Sequence, residues 1–194
     1  MKLADIARAT RSLDEDAFRR GYPHPALVFA KASHIPEPAN EETLKIPDEA
    51  PPRRTAPTKK YDPTATMSFA GLGLPESPQK TQSEVTGDSR VWFVVKAQRY
   101  ATSTVIMVGR APTNDLRIVE GTISKLHASF TRTKVGWELT DQHSSNGTFV
   151  DGKKLPAGGS ARLEDGILVA FGPRVQAEFW TPRGLRLLLA RIEL

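Results

Sequence analysis

ASFTRTKVGWELTDQHSSNGTFV, residues 128–150, decides the fold. It holds three short runs rich in β-branched and aromatic residues, 128–133, 137–140 and 148–150, with turn-forming residues between them. Asn146-Gly147 is a strong signal for a turn that needs positive φ. The same texture extends outward on both sides. Runs at 91–96, 104–108 and 116–119 precede it, and runs at 160–163, 168–171 and 175–180 follow, separated by Gly, Asn, Asp and Pro. Many short strands with no helix-length insert predict an all-β fold, an antiparallel sandwich or barrel of about 100 residues. Past Pro182, the residues Leu185, Leu187, Leu188, Leu189 and Ile192 predict a short helix within 183–194, with a last strand as the alternative.

Composition divides the 194 residues near Arg90. Residues 1–89 hold 11 of the 15 prolines and only 5 of the 14 aromatic residues, so the core is expected in the second half. Charge divides the same way, net −1 before position 90 and +6 from there on. A basic compact half favours anionic partners, whether phosphopeptide, nucleic acid or lipid. The chain has no cysteine, which excludes disulfides and thiolate metal sites and makes a reducing cytoplasm the expected compartment. No run approaches the length of a membrane span, and the first residues do not resemble a secretion signal.

Leu3, Ile6, Ala7 and Thr10 recur at helical spacing. Ser12-Leu13-Asp14-Glu15 has the capping-box pattern ahead of Ala17 and Phe18, and Gly21 is a stop. One or two short helices are expected within 1–21, and helices so short need a surface to pack on. Residues 22–89 read as a Pro-rich disordered linker. Gly71-Leu72-Gly73 within it follows no strand and opens no helix, so it is not read as a dinucleotide loop. The β-rich domain is expected over 90–182.

Within that domain, polar residues gather in the loops. Gly109 ends an apolar run and Arg110 opens a loop with a planar guanidinium fork. Ser124 offers a hydroxyl and an N–H, and Lys125 adds a second cation. Ser145 adds another hydroxyl, while the Asn146 carboxamide can both donate and accept, as reading a peptide backbone requires. A phosphorylated threonine carries about −1.5 to −2 charges and three acceptor oxygens, and this is the donor set it needs. For Asn146-Gly147 a tight turn alone is the competing reading. Ser124, His127 and Asp141 can be written as a hydrolytic triad, but no strained strand-to-helix turn surrounds Ser124, so His127 is read as a loop-holding residue and no catalysis is expected. His24, His34, His127 and His143 are scattered, and no metal or other cofactor is expected.

These residues are similar to the forkhead-associated (FHA) domain family, roughly over residues 90–182. The matching features are Gly109-Arg110, Asn114-Asp115, Ser124 with His127-Ala128, Leu139-x-Asp141, Ser144-Ser145-Asn146-Gly147-Thr148-Phe149-Val150, Gly152, Leu163-Glu164-Asp165-Gly166 and Phe171-Gly172. The resemblance implies a sandwich of two twisted sheets whose loops at one end bind phosphothreonine. By position, Arg110 and Ser124 would contact the phosphate, Lys125 and Ser145 would support it, and Asn146 would bond the peptide backbone. Gly109, His127 and Gly147 would shape the loops. Lys125 stands where the family commonly has Arg, a point charge in place of a fork, and Ile167 where it commonly has Asp.

The expected function is therefore a non-catalytic adaptor for phosphothreonine sites on partner proteins, a Ser/Thr kinase or its substrates. The linker threonines Thr55, Thr58, Thr64, Thr66 and Thr81 make capture of the chain's own phosphorylated linker a further expectation. A phosphate-independent scaffold is the alternative. Nucleic-acid binding is motivated by the pI near 9.6, but no nucleic-acid motif supports it.

Overall fold

Alternation along the strands sorts side chains onto the two faces of each sheet. In the computed structural model, which describes residues 1–30, 85–96 and 104–192, the smaller sheet contains β3 (Val105–Gly109), β4 (Leu116–Arg117), β5 (Ala128–Thr133), β6 (Gly136–Asp141) and β9 (Ser160–Leu163), in the order β4-β3-β5-β6-β9. The other contains β1 (Ala26–Phe29), β2 (Arg90–Phe93), β7 (Thr148–Val150), β8 (Lys153–Lys154), β10 (Ile167–Phe171) and β11 (Val175–Trp180), in the order β2-β1-β11-β10-β7-β8. Every pairing is antiparallel except β3 with β4. The two sheets close on a core that includes Leu27, Phe29, Val108, Phe130, Leu139, Phe171 and Phe179. Phe130 stacks on Phe179 and meets Phe171 edge-on, the two geometries aromatic quadrupoles favour. The β-sandwich expected from the sequence is the observed architecture.

The expected linker over 22–89 needs correction at both ends. Ala26–Phe29 forms β1, which lies inside the larger sheet between β2 and β11. Residues 85–89 turn against the chain's start, where Leu3 N–H donates to the Ser89 carbonyl and Ala4 N–H to that of Gly87. The rest of the linker expectation, residues 31–84, lies outside the described residues, as do Gly71-Leu72-Gly73 and the linker threonines. Since β1 and β2 are adjacent antiparallel partners, residues 31–84 are an insertion between neighbouring strands of one sheet. They do not tether a separate N-terminal unit.

The N-terminal helices find the surface they need on that sheet. α1 (Leu3–Thr10) and α2 (Glu15–Gly21) join α3 (Pro182–Leu189) as a third layer over its outer face. Leu3, Ile6, Ala7 and Phe18 pack there with Leu185 and Leu189, against Ala26, Val28 and Val91 of the sheet. β1 is therefore buried on both faces, Leu27 and Phe29 toward the sandwich core and Ala26 and Val28 toward the helices. The cap of α2 is not Ser12, as the Ser-x-x-Glu pattern suggests. Asp14 takes that place, its carboxylate accepting from Ala17 N–H at 2.7 Å, and the helix starts two residues later than a Ser12 cap would set it. The C-terminal segment is the helix rather than the strand, capped by Thr181, whose side chain accepts from Gly184 N–H with Pro182 in the first turn. Ile167, where the resemblance led to an Asp, opens β10 and packs against the sandwich core.

Strand direction fixes the ends of the sandwich. β3 ends at Gly109, β10 ends at Phe171 and β7 begins at Thr148, and Gly172 N–H donates to the Gly147 carbonyl, so all three meet at one end. β1 runs antiparallel to β11 with Ala26 opposite Trp180, so its last residue, Phe29, points toward that same end.

Candidate functional site

Three loops that are remote in sequence are tied together at this end. They are the loop from β3 to β4, the loop from β4 to β5, and residues 142–147 between β6 and β7. Gly109 makes the first junction possible, because a Cβ there would run into the Lys125 carbonyl and stand 2.8 Å from the Asn114 amide nitrogen. That close approach lets Arg110 N–H donate to the Ser124 carbonyl at 2.9 Å and Ala111 N–H to the Lys125 carbonyl at 3.1 Å. Arg110 Nε donates to the Ile123 carbonyl at 3.1 Å, and Asn114 Nδ2 donates to the carbonyls of Ala111 and Lys125 at 3.0 and 2.6 Å. The guanidinium is thus held against the backbone of the loop that carries Ser124.

Ser124 joins the second loop to the third. Its Oγ accepts from Ser145 N–H at 3.0 Å and lies 3.4 Å from Ser145 Oγ. Beneath them, Asn146 is fully buried and its Nδ2 donates to the Thr122 carbonyl at 2.7 Å. The structure therefore brings Arg110, Ser124 and Ser145 together at the rim, with Lys125 exposed beside them, and sets Asn146 under the rim as a tie between loops. Gly147 has φ of 85°, the left-handed value that its Asn-Gly sequence predicts. Its Cα also faces Lys154, whose Nζ would lie 3.2 Å from a Cβ at that position.

His127 is a bracket between the second and third loops. Its Nδ1 accepts from Ser124 N–H at 3.1 Å, so the proton of the neutral ring sits on Nε2, which donates to the Gly147 carbonyl at 3.1 Å. Burial holds the imidazole neutral, lowering its pKa to about 4 against the raising effects of the Gly147 carbonyl and the Asp141 carboxylate. The geometry does not form the hydrolytic set of Ser124, His127 and Asp141: the ring meets the backbone N–H of Ser124 and not its hydroxyl. Asp141 serves its own loop, accepting from Ser144 N–H at 3.1 Å, Ser144 Oγ at 2.5 Å and Thr148 Oγ1 at 2.7 Å. Among the described residues no group of three or more acidic or histidine side chains could hold a metal, and no helix is long and apolar enough to cross a membrane.

Four residues support the site without a supporting role having been read for them in the sequence: Asn114 and Asp141, which appear there as motif positions, and Glu120 and Arg117, which do not appear. Asp141 three residues before Ser144 is an Asx-type turn signal that could have been found. Glu120 turns back on its own loop, its carboxylate accepting from Thr122 N–H at 2.8 Å and from the Thr122 hydroxyl. Arg117 could not have been found, because its Nε reaches the Arg110 carbonyl at 3.4 Å only through the parallel pairing of Gly109 with Arg117.

Residues 106–172 match the family model described as the FHA domain. Over 67 residues, 34% of this chain, the sequence is 42% identical to the ABC transporter ATP-binding/permease protein Rv1747 of Mycobacterium tuberculosis. Over 71 residues, 36% of the chain, it is 35% identical to the Transcription factor 19-like protein of Mus musculus. The chain spans 7% of the first of these proteins and 26% of the second. Among solved structures it is similar to Mycobacterium tuberculosis EmbR in complex with a low affinity phosphopeptide, at 18% identity and a TM-score of 0.40, over 54% of this chain and 24% of that one. The matched residues, 106–172, carry all three loops that meet at the rim, so this part of the chain is the part that resembles the FHA domain.

Proposed function

We propose that the chain is a non-catalytic cytoplasmic adaptor that binds phosphothreonine sites of partner proteins in Ser/Thr kinase signalling. The observation that carries this reading is the convergence of Arg110, Ser124 and Ser145 through direct hydrogen bonds between loops separated by up to 21 residues. A phosphate dianion at this rim would meet the Arg110 guanidinium, the Ser124 and Ser145 hydroxyls and the Lys125 ammonium. These are charge-assisted contacts for which an uncharged threonine offers no equivalent. Asn146 fixes the Thr122 loop from below, and its contact with a peptide backbone would be made by exchanging the Thr122 carbonyl for a peptide group. The match of residues 106–172 to the FHA domain model supports the same reading.

Calorimetry with a phosphothreonine peptide library tests it. Each charge-assisted bond contributes about 1.5–3 kcal/mol, so Arg110→Ala should weaken binding about tenfold or more, and unphosphorylated peptides should not bind. Equal binding by wild type and Arg110→Ala would refute the reading.

Regulation by the chain's own linker is a further part of the proposal. β1 points toward the rim end and stands three strand positions from β7, about 14 Å in the sheet. Residues 31–84 have ample length to bring Thr55, Thr58, Thr64 or Thr66 across such a gap. Treatment with a Ser/Thr kinase should then lower binding of peptides supplied in trans, and unchanged binding would remove this part alone.

A further inference from the structure

The three helices enclose a groove of about 640 Å³ on the side of the molecule they cover. Its floor is apolar: the buried Ala7 of α1, Phe18 of α2 and Leu189 of α3 close it from below, and the half-buried Leu13 and Ile192 supply the surface a ligand can reach. Its rim is cationic: Arg11 follows α1, Arg186 lies in α3 and Arg191 follows it. Among the described residues no aspartate or glutamate lines the groove, and none of these three arginines has a carboxylate within 4.0 Å. Of the acids on α1 and at the start of α2, Asp5 pairs with Arg8 at 3.6 Å and Asp14 caps α2, while Glu15 and Asp16 lie outside the groove lining. Leu187 stands at the lip, 54% exposed, and extends the apolar surface outward.

An apolar floor between guanidinium groups that no carboxylate of the described residues pairs with calls for a ligand that brings hydrocarbon and negative charge together. Nucleic acid supplies the charge without side chains for the floor. A lipid headgroup surface is flat, whereas this groove is concave and bounded by helices on both sides. We propose that the groove docks an acidic amphipathic segment of a partner protein, whose apolar side chains fill the floor while its carboxylates meet Arg11, Arg186 and Arg191. None of the groove residues belongs to the phosphate rim. The chain thereby has two independent attachment points, one gated by phosphorylation and one not.

Fluorescence anisotropy on the full chain tests this with a labelled helical peptide carrying Leu at i, i+3, i+4 and i+7 and Glu elsewhere. Saturable binding is expected. It should weaken about tenfold or more in the Arg186→Glu/Arg191→Glu double variant and in Arg11→Glu, a substitution at an exposed residue that leaves the fold intact. Arg110→Ala should leave it unchanged, which separates failure here from failure at the phosphate rim. Peptides with Lys in place of Glu, or Ala in place of Leu, should not bind. Three results would overturn the proposal: no binding of the Leu/Glu peptide, binding unaffected by both arginine variants, or displacement of the peptide by phosphatidylserine vesicles that themselves bind more tightly.

Discussion

Cutting the chain at Val85, so that residues 85–194 stand alone, should leave no folded domain even though residues 106–172 carry the whole family match. Among the described residues β2 pairs with β1 and, through one bridge, with Lys2, and both partners are gone once the first 84 residues are removed. Val91 and Val94 leave the core with it, and Leu185 and Leu189 lose Leu3, Ile6, Ala7 and Phe18. Uncovering four such side chains costs about 6–12 kcal/mol at about 1.5–3 kcal/mol each, against a total of about 5–15 kcal/mol for a typical domain. β11 is also left as a bare edge beside exposed apolar surface. The comparison is a urea melt followed by circular dichroism on three proteins: the full chain, residues 85–194, and a chain in which a short Gly-Ser bridge replaces residues 31–84. The bridged chain should unfold cooperatively like the full chain, and the fragment should show no transition. A fragment whose stability lies within about 1 kcal/mol of the full chain would refute the reasoning, because the first 30 residues would then not belong to the fold.

His127 makes stability depend on pH in a stated direction. Its folded pKa of about 4 lies below the ordinary value of 6.5, so its contribution is complete above pH 6.5 and is lost as pH falls toward 4. Over that window the loss amounts to about 3 kcal/mol. Melts between pH 7 and 4 should show it in wild type and a shallower slope in His127→Gln, and equal slopes would contradict the bracket geometry. Asp141→Ala strips the partner from Ser144 N–H, Ser144 Oγ and Thr148 Oγ1, and should cost about 2–4 kcal/mol of stability while weakening phosphopeptide binding through the displaced Ser145. Denaturant midpoints and calorimetry on the same preparation check both effects.

What the sequence made legible follows from how many layers each element touches. β11 alternates inward Val175, Ala177 and Phe179 with outward Gln176, Glu178 and Trp180, and such alternation is readable without a structure. β1 has no alternation to read. Its four apolar residues are buried on both faces, and they follow Pro23 and Pro25 in a stretch whose composition reads as a linker. The helices were expected but their bed was not, because the Val28 and Val91 faces that receive them exist only once β1 is in the sheet. At the site, loop residues next to glycines were found from turn chemistry, as with Gly109-Arg110 and Asn146-Gly147. Arg117 depends on a pairing that only the fold creates. The burial of Asn146 likewise depends on where the Thr122 loop comes to rest.

The central claim is that the rim at Arg110, Ser124 and Ser145 recognises the phosphate group itself. Backbone amide NMR of the full chain, titrated with one threonine peptide in its phosphorylated and unphosphorylated forms, measures this directly. The phosphorylated form should shift the amides of Arg110, Ser124, Lys125 and Ser145 in a saturable way, and the unphosphorylated form should shift none of them. Equal shifts from both peptides, or shifts confined to residues away from this rim, would contradict it.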